Sequence, residues 1–126
     1  MTFKENKPIF QQLAERICDD ILTGKYAADE RIPSVREYAA IVEVNANTVM
    51  RTYELLQNQN IIYNRRGIGF FVAPDAKEII LRIKQESFLN NEINDFFAQL
   101  HILGIDCNKL VELYNIYLNK LNTESK

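Results

Sequence analysis

The chain has 126 residues, of which 47% are hydrophobic and 25% are charged, with a formal net charge of −2 and a pI of about 5.4. This hydrophobic content excludes a disordered chain, and the acidic balance excludes indiscriminate binding to polyanions. Residues 1–74 carry nine Lys or Arg and nine Asp or Glu, whereas residues 75–126 carry six and eight. Any positive field must therefore be local.

The first predicted element is an amphipathic helix. Pro8 suits its first turn, because a residue there needs no backbone N–H, and Gly24 is a typical stop. The apolar stripe consists of Ile9, Leu13, Ile17 and Ile21. Such a helix is expected to brace the segment that follows it.

The ends and the cysteines of the chain favour a cytoplasmic protein. Residues 1–7 contain no long apolar run, so no signal peptide is expected. No stretch reaches the ~18 apolar residues of a membrane-spanning helix. Cys18 and Cys107 are far apart and lie in apolar helical settings, which favours two packed, reduced thiols over a disulfide.

A second helix is predicted to begin at Val35. Ser34 is a good N-cap, and Glu37 stands three residues later, so the two residues form a capping box. The apolar face of this helix consists of Tyr38, Ala39 and Val42.

A third helix follows after a turn at residues 43–44. Asn45 can cap it by accepting a hydrogen bond from a backbone N–H near Thr48, and Val49, Tyr53 and Leu56 recur at helical spacing. Two helices joined by so short a turn share one core and leave the outer face of the second helix free.

The pattern then changes to a β-hairpin. Residues 61–63 and 70–72 are β-favouring runs, and the loop 65–69 between them contains two arginines and two glycines. The glycines allow positive φ and a close approach of the backbone to a partner. A basic hairpin after two such helices predicts a mainly α fold with a small β-hairpin wing, which is a winged helix-turn-helix.

The remainder of the chain is predicted to form two helices. Asp75 can cap the first, and Asp106, which follows Gly104, can cap the second. Two helices cannot easily close a core of their own, so their apolar stripes must pack on the preceding domain or on a second subunit. We therefore divide the chain into residues 1–74 and 75–126. The candidate dimerisation residues are Ile79, Ile83, Ile93, Phe97, Leu110, Leu113, Tyr117 and Leu121.

The order and spacing of five motifs resemble the DNA-binding region of GntR-family transcription regulators, above all their YtrA-like branch. The motifs are PIFQQL at residues 8–13, IPSVRE at 32–37, VNANTV at 44–49, RTY at 51–53 and RGIGFFV at 66–72. The resemblance implies DNA binding and a short helical tail that serves dimerisation. Many members carry Arg or Pro in place of Ala46, and some carry Arg in place of Met50, so the resemblance assigns no base contact to either residue.

The expected DNA contacts lie at two helix starts and on the wing. Arg51 can read guanine O6 and N7, and Asn47 can read adenine N6 and N7. Arg36 is expected to contact phosphate or a guanine edge, the alternative being a surface arginine paired with Glu37 or Glu43. The two wing arginines suit phosphate or a narrow minor groove. The full set is Ser34, Arg36, Asn45, Asn47, Thr48, Arg51, Arg65, Arg66, Gly67 and Gly69.

Some of these residues have a second interpretation within the same motif. Asn45 is at least partly a cap, and Thr48 can serve either the cap or a phosphate. The wing arginines could equally be solvated side chains at a hairpin tip.

Together these features predict a sequence-specific transcription regulator, a repressor, that binds double-stranded DNA at a palindromic operator as a homodimer. The alternative is a winged-helix protein-interaction module without DNA binding, which the near-neutral charge of residues 1–74 allows. An enzyme is not expected, because no nucleophile, base or phosphate loop stands in a recognisable pattern. His101 has no ligand cluster, so neither a metal site nor a cofactor is expected. The sequence assigns no effector.

Overall fold

The structure is a computed structural model that describes residues 6–124. It is mainly α with one two-stranded hairpin, as the sequence predicted. The chain divides into two compact units, residues 1–84 and 85–126. The expectation of no signal peptide rests partly on residues 1–5, which lie outside the described residues. The elements are α1 (Ile9–Leu22), α2 (Val35–Val42), α3 (Ala46–Asn58), β1 (Ile62–Arg65), β2 (Gly69–Val72), α4 (Ala76–Ser87), a π-helical segment (Phe88–Glu92), α5 (Ile93–Ile102) and α6 (Cys107–Glu124).

Tyr53 lies in the middle of the core of the first unit, where it is fully buried. Its hydroxyl donates a hydrogen bond of 2.6 Å to the carbonyl oxygen of Pro33, just before α2. Its ring meets Phe70 of β2 edge-on, with 5.1 Å between centroids, and lies 6.2 Å from the ring of Tyr38. One side chain of α3 thereby contacts the entry to α2, the helix α2 itself and the wing.

The start of α2 confirms the predicted capping box. Ser34 Oγ accepts a hydrogen bond of 3.1 Å from the backbone N–H of Glu37, and the Ser34 N–H donates one of 3.0 Å to Glu37 Oε1. The helix begins at Val35, as predicted. It ends at Val42, and the C-cap residue Glu43 takes a left-handed conformation with φ of 56° that redirects the chain into the next helix.

Asn45 caps α3, also as predicted. Its Oδ1 accepts a hydrogen bond of 2.7 Å from the N–H of Asn47, one residue before the expected donor near Thr48. Further along, the hydroxyl of Thr52 donates a bond of 2.9 Å to the carbonyl oxygen of Phe10. This bond ties the middle of α3 to the first turn of α1.

The wing is an antiparallel pair that runs from Ile62 opposite Val72 to Arg65 opposite Gly69. Residues 29–32 lie along the other edge of β2 and share three backbone hydrogen bonds of 2.8–2.9 Å with it. This connector covers one edge of the short hairpin, which would be marginal alone.

The first turns of α4 belong to the core of the first unit. Ala76, Ile79 and Ile80 are buried in it, and Ile83 packs against it half-buried. The compact units therefore divide after residue 84, whereas the sequence placed the boundary after residue 74. Ile79 and Ile83 were assigned to the dimerisation face, but they pack within their own chain. Helical periodicity identifies an apolar stripe but not the surface that covers it.

The second unit buries none of the residues that the structure describes in it. Asp106 caps α6 by accepting a hydrogen bond of 2.8 Å from the N–H of Lys109. Ile93 and Leu110 are half-exposed, and most other large apolar side chains are exposed. The exposed group includes Phe96, Phe97, Leu103, Leu113, Tyr114, Tyr117 and Leu121. This unit leaves a wide apolar surface uncovered in a single chain.

The two cysteines are free, but only one is packed. Cys18 is buried in α1, and this burial raises the pKa of its thiol to about 11. Cys107 is exposed at the first position of α6, so the expectation of a packed thiol there was wrong. None of its apolar sequence neighbours is buried: Leu103 and Val111 are exposed, and Ile105 and Leu110 are half-buried.

Candidate nucleic-acid interface

The start of α2 presents the exposed guanidinium of Arg36 beside the carboxylate of Glu37, which belongs to the capping box. Glu37 accepts hydrogen bonds from the backbone and side chain of Ser34, which hold the pKa of its carboxyl below the ordinary value. Its ion-pair partner is Arg31, with 3.8 Å between Nη2 and Oε1. Arg36 is exposed and forms no ion pair with any residue of 6–124, so it does not adopt the alternative pairing with Glu37 or Glu43.

The start of α3 separates capping residues from outward-facing ones. The side-chain oxygen of Asn45 is occupied by the cap, and Ser34 is occupied in the same way on α2. Thr48 is half-buried and its N–H donates to the Asn45 carbonyl. Asn47 and Arg51 are exposed. These two side chains remain available for an external partner.

Arg51 has a contact that the sequence did not reveal. Its guanidinium lies over the ring of Phe10 in α1, with 4.1 Å from Cζ to the ring centroid. A guanidinium in this position is attracted by the negative face of the ring. The arginine remains exposed, so the contact restricts its direction without removing it from solvent.

The wing loop has the backbone geometry that its glycines permit. Gly67 and Gly69 have φ of 79° and 142°, both positive as expected. Arg65 lies with its guanidinium 5.5 Å from the ring centroid of Phe71, whereas Arg66 is exposed at the tip. The loop therefore presents one arginine that lies against an aromatic ring and one that is exposed at the tip.

Arg31 joins the wing loop to the start of α2. A Cβ atom placed on Gly69 would lie 2.8 Å from Arg31 Nε, so the arginine side chain occupies the space above this glycine. The same guanidinium reaches Glu37 on α2. Because Gly69 lies 38 positions further along the chain, no local pattern identified Arg31 as part of this surface.

All ten candidate DNA-binding residues lie in the first unit, on the two helix starts and the wing. The sequence missed Phe10 and Arg31, which support Arg51 and the wing loop. Their contacts join residues about 40 positions apart, beyond the reach of helical or strand periodicity.

Two further features are absent from residues 6–124. Residues 6–124 contain no group of three or more His, Cys, Asp or Glu side chains that could hold a metal ion. None of the helices described there has both the length and the apolar character needed to cross a membrane.

The sequence comparisons agree with this geometry. Residues 9–72 match the family of bacterial regulatory proteins described as the gntR family. YhcF of Bacillus subtilis, named as a helix-turn-helix-type transcriptional regulator, is 33% identical over 110 residues, which are 87% of this chain and 89% of YhcF. The repressor YtrA of the same organism is 28% identical over 86% of this chain and 83% of its own length.

Two solved structures extend the comparison to three dimensions. A GntR-family regulator from Bacteroides thetaiotaomicron superposes with a TM-score of 0.80 and 52% identity, over 90% of this chain and 99% of its own. The DNA-binding domain of AraR, solved in complex with an operator, superposes with a TM-score of 0.53 and 29% identity, over 58% of this chain and 88% of its own.

Proposed function

The chain belongs to the gntR family of bacterial regulatory proteins and to its YtrA-like branch, and from that premise we propose that it is a repressor that binds a palindromic operator as a homodimer. Members of the family are DNA-binding helix-turn-helix transcription regulators and not enzymes. The proposal adds the direction of regulation, the form of the operator, the oligomeric state and an action in the cytoplasm.

The single observation that carries the proposal is the exposed start of α3, where Asn47 and Arg51 remain available after Asn45 has satisfied the cap. An amide and a guanidinium on the outer face of a recognition helix match the edges of adenine and guanine in the major groove. Ser34 and Asn45 hold the two helix starts, so their role is to position the neighbouring groups.

The remaining candidate residues are proposed to contact the DNA backbone. Arg36, at the start of α2, is exposed and lacks an ion-pair partner among residues 6–124. Thr48 lies in the first turn of α3. Arg65 and Arg66 lie on the wing, where a glycine-containing loop suits phosphate or minor-groove potential better than base reading. The positive φ of Gly67 and Gly69 fixes the loop that presents these arginines.

The homodimer is supported by the apolar surface of the second unit. We retain Ile93, Phe97, Leu110, Leu113, Tyr117 and Leu121 as its proposed contacts and leave out Ile79 and Ile83, which pack in the first unit. Monomers rarely expose an apolar patch of more than a few hundred Å². A two-fold contact buries the same patch from both copies and repeats the recognition helix for a palindrome.

Repression is proposed from the named function of a relative, since YtrA of Bacillus subtilis is named as a repressor. A dimer seated on an operator that overlaps a promoter would exclude the polymerase without any further activity. We assign no effector.

Selection of bound duplexes from a random DNA library, with the full chain, tests the proposal. A palindromic consensus, bound more tightly than either half-site alone, is the expected result. No enrichment, together with no retention on random duplex at low salt, would contradict DNA binding and favour the protein-interaction alternative. Transcription from a promoter carrying the selected site should fall when the protein is added.

Light scattering on surface variants tests the dimer separately. Leu113→Glu combined with Tyr117→Glu places two charges on the exposed apolar stripe of α6 and should give a monomer. Asn119→Glu adds a charge on the same helix, about 160° from Tyr117, and is the matched control. A dimer that survives the double substitution would exclude α6 as the contact.

A further inference from the structure

The outward face of α3 has a polar side and an apolar side, which both run along the helix. Its core side consists of Val49, Thr52, Tyr53 and Leu56, all buried. Over residues 46–54, the outward residues are Ala46, Asn47, Met50, Arg51 and Glu54, all exposed. This outward set contains one amide, one guanidinium, one carboxylate and two apolar side chains, those of Ala46 and Met50.

The two apolar side chains form one stripe. Ala46 and Met50 are four residues apart, which places them on the same side of the helix within about 40°. Arg51 points about 100° away from Met50 and lies over Phe10 of α1. The polar and apolar parts of the outward face therefore lie side by side.

This stripe lies outside the hydrophobic core of the first unit. Met50 is 41% exposed, and neither Met50 nor Ala46 belongs to the hydrophobic core or to the half-buried residues packed against it. Single exposed apolar residues are common on proteins. Here, however, two of them share one turn of the helix that reads DNA under the function proposed above.

The major groove presents one apolar group that such a stripe can contact, the C5-methyl of thymine. The other features of the base edges there are hydrogen-bond donors and acceptors, which would lose water against a methionine and gain no partner. Asn47, next to Ala46, suits the amino group and N7 of adenine. Methyl contact and adenine contact on adjacent positions both call for A·T pairs.

We propose that Ala46 and Met50 read thymine methyl groups, so that each half-site contains A·T pairs where this stripe of α3 meets the major groove. The inference rests on the proposed function, since it requires α3 to lie in the major groove. It identifies the base composition that the operator must have at those positions.

Replacement of thymine by deoxyuridine in the selected operator tests the proposal, because it removes only the C5-methyl and preserves every hydrogen-bonding atom. Each thymine pair is replaced symmetrically in both half-sites, one position at a time. A methyl group buried against an apolar side chain corresponds to about a four-fold change in affinity, so one or two positions should weaken binding by that factor per half-site.

Variants of Met50 assign the effect to its side chain. Met50→Gln, of similar length but polar, should abolish the deoxyuridine effect at one of these positions, whereas Met50→Leu, the matched apolar control, should retain it. Ala46→Ser should reduce the effect at a neighbouring position. Both residues are exposed, so these variants should fold as the parent does.

The possible outcomes distinguish a failure of the proposed function from a failure of the thymine contact. Failure to select any operator would overturn the proposed function itself. A selected operator whose affinity is insensitive to deoxyuridine, or equally sensitive in Met50→Gln and Met50→Leu, would overturn the thymine contact and leave the proposed function in place.

Discussion

The guanidinium of Arg51 lies 4.1 Å from the ring centroid of Phe10, which joins the exposed face of α3 to the first turn of α1. Contacts of this kind are worth about 0.5–1 kcal/mol at exposed sites. A side chain already held in one direction loses less conformational freedom when it binds. Phe10 is therefore a positioning residue for the arginine that we expect to read guanine.

Phe10→Leu should weaken operator binding by about two- to five-fold, because it retains apolar bulk but removes the aromatic face. Phe10→Tyr should restore the parental affinity. The slope of log affinity against log salt should stay unchanged, since no charge is removed. Titrations at several salt concentrations provide the measurement, and a Phe10→Leu protein with parental affinity would contradict a positioning role.

Arg51→Ala should reduce affinity for the selected operator far more than affinity for random duplex. One bidentate contact to guanine is worth ~1–3 kcal/mol of discrimination, whereas a phosphate contact weakens binding to every sequence alike when it is removed. Parallel titrations at one salt concentration distinguish the two roles. An equal loss on both duplexes would limit Arg51 to the DNA backbone.

Replacement of both Arg65 and Arg66 by Ala should flatten the salt dependence of binding. Removal of one phosphate interaction should reduce the slope of log affinity against log salt by about 0.9. The matched control is Lys77→Ala with Arg82→Ala, which removes the same charge from exposed positions on α4. If both double variants keep the parental slope and affinity, the wing makes no contact with DNA.

Gly69→Ala should destabilise the first unit more than Gly67→Ala does. Both positions have positive φ, which disfavours an alanine, but only the Gly69 Cβ would meet Arg31, at 2.8 Å from Nε. In an Arg31→Ala background the difference between the two substitutions should shrink. Urea denaturation of each glycine variant, with and without Arg31→Ala, measures the free energy of unfolding. If Arg31→Ala leaves the difference between the two glycine variants unchanged, the backbone conformation alone accounts for the loss of stability.

Two buried tyrosines should respond oppositely to loss of the hydroxyl. Tyr53→Phe removes the 2.6 Å hydrogen bond to Pro33 and should cost about 1–2 kcal/mol of unfolding free energy. Tyr38→Phe should be neutral or stabilising, since its hydroxyl is buried without a hydrogen-bond partner among the described residues. Thermal and urea unfolding provide the measurement. An equal loss of unfolding free energy in Tyr53→Phe and Tyr38→Phe would contradict the difference in hydrogen bonding.

Tyr38 also predicts that the stability of the fold depends on pH. Burial raises the pKa of Tyr38 from 10 to about 12, so above pH 10 the unfolded chain releases a proton that the folded chain retains. Stability should therefore fall as the pH rises from 10 to 12. Tyr38→Phe should make this fall shallower, which denaturation midpoints at several pH values would reveal.

The elements that local chemistry determines were predictable from the sequence. The capping box at Ser34 and Glu37 set the first residue of α2, and the glycines of the wing loop set its turn. The family, the mainly α fold and the winged helix-turn-helix followed from motifs within residues 8–72, where spacing carries the information.

What the sequence could not supply were contacts between distant residues. The stripe through Ile79 and Ile83 was interpreted as a free face, because periodicity does not distinguish a core within one chain from a face between two chains. Phe10 and Arg31 gave no signal for a similar reason, since their partners lie far along the chain.

The separation of core and outward residues on α3 has an evolutionary consequence. Ala46, Asn47, Met50 and Arg51 are exposed, whereas the core side of the helix is buried. We therefore expect that duplicated genes can diverge in the sites they recognise without first acquiring compensating stability. For the same reason, a library randomised at only these four codons should return mostly folded proteins. The helix α3 is therefore a suitable starting point for redirecting this regulator to other DNA sites.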